Sequence, residues 1–152
     1  MRRLRAGRPL QGAETDMDIQ HYHRDHAAIL GQIEALRALS RVGIAGNAEA
    51  IGQAIVSTAS RIKFHLAAED RVLYPTLSGS GDAGLAALGR RYQDEMQQLS
   101  AAFAGFVAQW RVPARISADP EGFRQAANTV LKALFERMKR EEKDLYPLAE
   151  AL

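Results

Sequence analysis

The chain has 152 residues, of which 47% are hydrophobic, and a formal net charge of +2. That is the length of one ordinary domain with enough apolar material for a core, which excludes a disordered chain. The absence of cysteine excludes disulfides, thiolate metal sites and a cysteine nucleophile.

Residues 1–16 hold the basic cluster Arg2, Arg3, Arg5 and Arg8. No apolar segment follows to make it a signal peptide, and the expectation is a disordered basic tail, with Met17 a candidate natural start. Without that cluster the rest is near neutral, so no nucleic-acid partner is expected. No apolar run approaches the ~20 residues that span a bilayer, which predicts a soluble, cytoplasmic protein with no membrane partner.

From residue 17 on, four amphipathic segments follow, each with apolar residues three and four apart. The first runs from about Asp18 to Ser40, with Ile19, Tyr22, Ile29, Ile33 and Leu36 on one stripe, and Gly43 and Gly46 break it. The second runs from about Asn47, a candidate N-cap, to Tyr74, with Ile51, Ile55, Thr58, Ile62 and Val72 facing inward. Pro75 and the run from Ser78 to Gly81 end it. The third runs from about Asp82 to Trp110 and is closed by Pro113; its stripe is Leu85, Leu88, Tyr92, Leu99, Phe103 and Phe106. The fourth begins near Asp119, with Pro120 at the first helical position, carries Phe123, Val130, Leu134 and Leu145, and stops at Pro147. Four long helices with short linkers predict an all-α, up-down-up-down four-helix bundle over residues 17–152.

The halves of the chain resemble each other. Glu69, Asp70 and the sequence Leu73-Tyr74-Pro75 are repeated as Glu141, Glu142 and Leu145-Tyr146-Pro147, and Asp25-His26 is matched by Asp94-Glu95. The bundle is therefore read as a duplicated helix pair.

Several polar residues fall on stripes that ought to be apolar. The spacing places His26 inward on the first helix, His65 and Glu69 on the second, Glu95 on the third, and Arg137 and Glu141 on the fourth. Burying such groups unpaired costs several kcal/mol each, so something must compensate. A His and a Glu one turn apart can hold one ion together, and bundles build metal sites from facing helices in this way. By ligand type, two imidazoles and a carboxylate suit iron, zinc or manganese. The alternative is a metal-free network, with His26 and His65 paired to Glu69, and Arg137 to Glu95 and Glu141. His23, one turn before His26, is a weaker candidate ligand, and His21 points elsewhere. Asp25 and Asp94 are either acceptors that orient their neighbours or, as read here, solvated helix residues; Tyr74 and Tyr146 are read as seals at the bundle end, and Phe103, Phe106 and Trp110 as core.

Asp-His on the first helix, His-x-x-x-Glu-Asp-x-x-Leu-Tyr-Pro on the second, and a second copy of both resemble the hemerythrin-like (HHE cation-binding) domains over nearly all of residues 18–149. The resemblance implies a non-haem di-iron centre bridged by two carboxylates. Carried over, His26, His65 and Glu69 match ligands of the first iron, and Glu141 matches the other bridging carboxylate. The family's histidines on the third and fourth helices are Glu95 and Arg137 here. Glu95 retains the ability to ligate, whereas a guanidinium has no lone pair to give. The expectation is one ion rather than two, with a salt bridge of Arg137 to Glu95 or Glu141 in place of the second.

The resemblance implies a non-enzymatic sensor or regulator of oxygen, nitric oxide or oxidative stress, with a diatomic molecule as ligand. The alternative is a metal-free interaction module that binds a protein partner or forms a homodimer. A mononuclear iron enzyme of peroxide or nitric oxide chemistry is the third reading; no substrate-pocket signature supports it.

Overall fold

The computed structural model describes residues 17–152, so the basic tail expected over residues 1–16 lies outside the described residues. Helix α1 (Ile19–Val42) starts at Asp18, whose carboxylate accepts from the His21 N–H. It ends at Gly43, where φ is +153°, a backbone conformation that favours glycine. A 3₁₀ turn (Ala45–Asn47) leads into α2 (Ala48–Ala68). Asn47 occupies the expected cap position, but its side chain turns backward. It donates to the carbonyls of Gly43 at 2.8 Å and Leu39 at 3.4 Å, closing α1 rather than opening α2.

The sequence expectation that Pro75 and Pro147 end their helices is corrected by the structure. After α2 the backbone widens into one π-helical turn (Glu69–Leu73) and continues as α3 (Tyr74–Ser78). After α6 (Pro120–Arg140) a second π turn (Glu141–Leu145) continues as α7 (Tyr146–Glu150). In an α-helix a proline ring presses on the carbonyl four residues back and leaves it unpaired. The wider turn, with Tyr74 N–H bonded to Glu69 O and Tyr146 N–H to Glu141 O, carries the chain past each proline. It also changes the inward register: Leu73 is fully buried, and Val72, expected to face inward, is only half-buried.

Helix α4 (Ala83–Trp110) is capped by Asp82, whose carboxylate accepts from Leu85 N–H, and α6 by Asp119, which accepts from Gly122 N–H. Between them lies a short helix not foreseen in the sequence, α5 (Pro113–Ala118), whose Ile116 is fully buried. Close backbone approach fixes two glycines. A Cβ on Gly52 would stand 2.8 Å from the Arg111 carbonyl, and one on Gly89 would stand 2.9 Å from Leu77 Cβ.

The long helices close a bundle, α1 against α2, α2 against α4, α4 against α6, and α6 against α1. Two apolar clusters fill it. The larger holds Ile29, Ile33, Ile55, Ile62, Met96, Phe103, Phe106, Trp110, Phe123 and Leu134. The smaller holds Ile19, Tyr22, Leu73, Tyr74, Leu77, Tyr92, Leu145 and Tyr146. His26 comes between Tyr22 of the smaller cluster and Ile29 of the larger, His65 and Glu69 between Ile62 and Leu73, and Glu141 between Met138 and Leu145. Among the described residues no helix is long and apolar enough to cross a membrane.

Candidate metal centre

Five ionisable side chains are buried in this polar layer: His26, His65, Glu69, Arg137 and Glu141. A ligand atom from each of His26, His65, Glu69 and Glu141 lies within 4.8 Å of the others. The two imidazoles face each other, with His26 Nε2 and His65 Nε2 3.0 Å apart. His65 Nε2 is against Glu69 Oε1, one turn along the same helix face, and His26 Nε2 is 3.4 Å from Glu141 Oε1.

Carboxylates hold both rings from behind. His65 Nδ1 is 3.0 Å from Asp25 Oδ2 on α1, and His26 Nδ1 is 3.0 Å from Glu142 Oε1 in the second π turn. A carboxylate facing Nδ1 keeps a proton there and aims Nε2 at the cluster, as in carboxylate–histidine–metal arrangements. Asp25, read from sequence as a solvated residue, therefore orients His65, whereas its counterpart Asp94 is exposed. Glu142 was given no role by the sequence. Its signal is the position next to Glu141, which mirrors Asp25 next to His26: each flanks an inward residue and reaches a ring on another helix.

The tyrosines are more than seals. Tyr74 donates to Glu69 Oε2 at 3.0 Å and Tyr146 donates to Glu69 Oε1 at 2.8 Å, so both oxygens of that carboxylate are held. Burial opposes the Glu69 charge, but hydrogen bonds from His65, Glu141 and Tyr146 outweigh it and pull its pKa down to about 2. Burial and the Glu69 charge push Glu141 well above the usual carboxylate range. Burial also lowers the pKa of His26, whereas His65, although buried, is raised by its hydrogen bonds with Glu69 and Asp25. Without an ion, the cluster therefore favours the protonated forms of Glu141 and His65 more than water does.

The remaining predicted residues are placed differently. Glu95 is not in the cluster. Its side chain is 41% exposed and bonds Arg140 at 2.7 Å, with Arg137 Nη1 at 3.6 Å. The expectation was off because the inward stripe of α4 runs through Ala86, Gly89, Tyr92 and Met96, not through Leu85, Leu88 and Glu95. Small residues face in because Leu77 fills the space over Gly89. Arg137 is buried, but its guanidinium leans toward α4. Nη2 donates to Tyr74 Oη at 2.9 Å and Tyr92 O at 2.7 Å, and the group lies 4.5 Å from the Tyr92 ring centre. Its Nε is 3.7 Å from Glu141 Oε2, too far for a hydrogen bond, and both atoms are buried without a partner among the described residues. His23 bonds no cluster ligand; its Nδ1 is 3.4 Å from Glu142 Oε1 at the rim. His21 faces Asp25 at 3.5 Å on the exposed side.

The donor set suits a metal ion. Two nitrogens bound to one ion at ~2.1 Å stand about 3 Å apart when the bonds are near right angles, as these two do. Glu141 turns its other oxygen, Oε1, to the same place, 3.4 Å from His26 Nε2. The family model described as the hemerythrin HHE cation binding domain matches residues 17–149. The chain belongs to this family. As an HHE domain it is a cation-binding bundle, and its buried His/Glu cluster is compatible with that role. No curated protein and no solved structure matches the chain.

Proposed function

We propose that this HHE domain holds one non-haem iron through His26, His65, Glu69 and Glu141 and acts as a sensor or regulator responding to oxygen, nitric oxide or oxidative stress. The observation that carries the reading is the pair of Nε2 atoms set 3.0 Å apart by carboxylates behind each ring, with two further carboxylates beside them. The matching place in the second half is filled by Arg137, which repels a cation and gives no ligand. Bound there, iron supplies a redox couple and a coordination position for a diatomic ligand. The chain's own residues fix the site: Asp25 and Glu142 orient the imidazoles, and Tyr74 and Tyr146 hold Glu69. Glu142 lies on the second π turn, so a change at the ion reaches that backbone segment through His26, a short route from ligand state to helix packing. Zinc or manganese would fit the same donors, and supply in the cell decides among them.

The test is elemental analysis of protein purified from an iron-replete culture, with melting measured before and after chelation. One iron per chain and a lowered melting temperature on chelation support the reading, since an ion bound at 100 times its Kd stabilises by ~2.7 kcal/mol. A metal content near zero with unchanged melting overturns it. Two ions per chain would show that Arg137 gives way to a second metal.

A second reading, a metal-free interaction module, draws on a groove of about 680 Å³ between α2 and α4, lined in part by Ile62, Leu66, Phe103 and Val107. The zero-metal outcome of the same experiment favours it.

A further inference from the structure

The two tyrosines that follow the π turns are related by the duplication but stand differently toward the cluster. Tyr74 Oη donates to Glu69 Oε2 and accepts from Arg137 Nη2 at 2.9 Å. Its oxygen thus faces a fixed cation. Tyr146 Oη donates to Glu69 Oε1 at 2.8 Å and lies 3.1 Å from His26 Nε2. It therefore touches two of the candidate ligand groups at the spacing the two imidazole nitrogens keep from each other, 3.0 Å. The Tyr146 ring is fully buried and stacked on His26 with centroids 5.4 Å apart, which fixes its direction. Among the described residues, no lysine or arginine is one of its hydrogen-bond partners.

We propose that Tyr146 is a further ligand of the ion, its phenolate oxygen binding when iron is ferric. This rests on the reading that the cluster holds iron. Phenolate is a hard oxygen donor, suited to a trivalent ion in a site already rich in carboxylates. A bound cation is the largest charge in the site and favours a phenolate over a phenol at this position. The balance is simple: the O–H bond breaks, an oxygen–iron bond forms, and the proton now bonded to Glu69 leaves to solvent. No electron is transferred.

The test loads the full chain with ferric citrate, removes unbound iron, and measures iron content, the visible spectrum and resonance Raman scattering. Wild type is expected to show a phenolate-to-iron charge-transfer band, with tyrosinate vibrations that shift when the tyrosines are ring-deuterated. Tyr146→Phe is expected to lose the band while retaining iron and helix content by circular dichroism. Tyr22→Phe, Tyr74→Phe and Tyr92→Phe are expected to keep it. If Tyr146→Phe fails to hold iron, the deuterium-sensitive vibrations of wild type together with their persistence in the other three variants assign the ligand. Iron retained by wild type without such a band overturns the ligand assignment and leaves the iron reading standing. So does a band that survives in Tyr146→Phe or disappears in Tyr74→Phe. No iron retained by wild type overturns the iron reading, and the ligand assignment with it.

Discussion

The ends of α2 and α6 pass through the same backbone device, an inward glutamate followed by a π turn, a buried leucine, a buried tyrosine and a proline that the helix survives. One turn before the glutamate, however, one end carries His65 and the other Arg137. The imidazole aims its nitrogen at the cluster because Asp25 holds it from behind. The guanidinium turns away, toward a tyrosine hydroxyl and a backbone carbonyl. A duplicated fold thus offers two equivalent places, and on the proposed reading the chemistry of one side chain decides which would take an ion and which takes a fixed charge. What the second half keeps is Glu141, which reaches across to His26.

The largest expected effect comes from breaking the half that keeps its histidine. His65→Ala should abolish iron retention, read as metal content after desalting, while circular dichroism still reports a helical bundle. Retention of iron by that variant would move the site elsewhere. Arg137→Met tests the other half and should do the reverse. It strips a buried donor from the Tyr74 hydroxyl and the Tyr92 carbonyl, and leaving a buried acceptor without its partner costs about 1–3 kcal/mol. Its melting temperature should fall in both the metal-free and the iron-loaded protein, and its iron content should stay at the wild-type value. A methionine variant as stable as wild type would mean that the guanidinium is dispensable to the fold.

A smaller effect separates the paired aspartates. Asp25→Asn should weaken iron binding by about 10–100-fold, the usual consequence of losing a carboxylate behind a metal-bound imidazole. Asp94→Asn, at the equivalent exposed position of α4, should leave the affinity unchanged. Competition against a chelator of known affinity measures both. Equal effects would erase the asymmetry between the halves.

How much of this was visible in the sequence differs by element. His26, His65, Glu69, Arg137 and Glu141 are buried, as their places on helical stripes predict, because on a regular helix a period of three to four residues fixes the face. The π turns, in contrast, change the register within one helix, and Val72 and Leu73 exchange roles as a result. On α4 the face follows the small residues that admit Leu77, not the leucines, which is why Glu95 drifted inward on paper and lies outward in the fold. Asp25, Glu142 and Tyr146 act across helices, whereas Tyr74 reaches Glu69 across the π turn of its own helix. Nothing in the spacing along one helix reports what the next helix presents, and only the packed bundle brings them to the ligands.

The smallest expected effect is a proton count, and it bears on the glutamate each half contributes. Glu69 is pulled down to about 2 and is already ionised above the ordinary carboxylate range, so it has no proton to release there. Glu141 is raised, because burial and the neighbouring Glu69 charge disfavour its anion. In the metal-free protein its contribution to stability is fully present below the unfolded carboxyl pKa of about 4.3 and is lost as pH rises through its higher folded value. An ion needs the carboxylate and the free imidazole, so uptake expels the protons on Glu141 and His65, and affinity rises with pH across that window. Isothermal titration in buffers of different ionisation enthalpy counts those protons. Glu141→Gln, which keeps an oxygen in place but has no proton to lose, should release one fewer than wild type. An unchanged count would mean that Arg137, 3.7 Å away, already holds Glu141 ionised, and that the two halves share one electrostatic device after all.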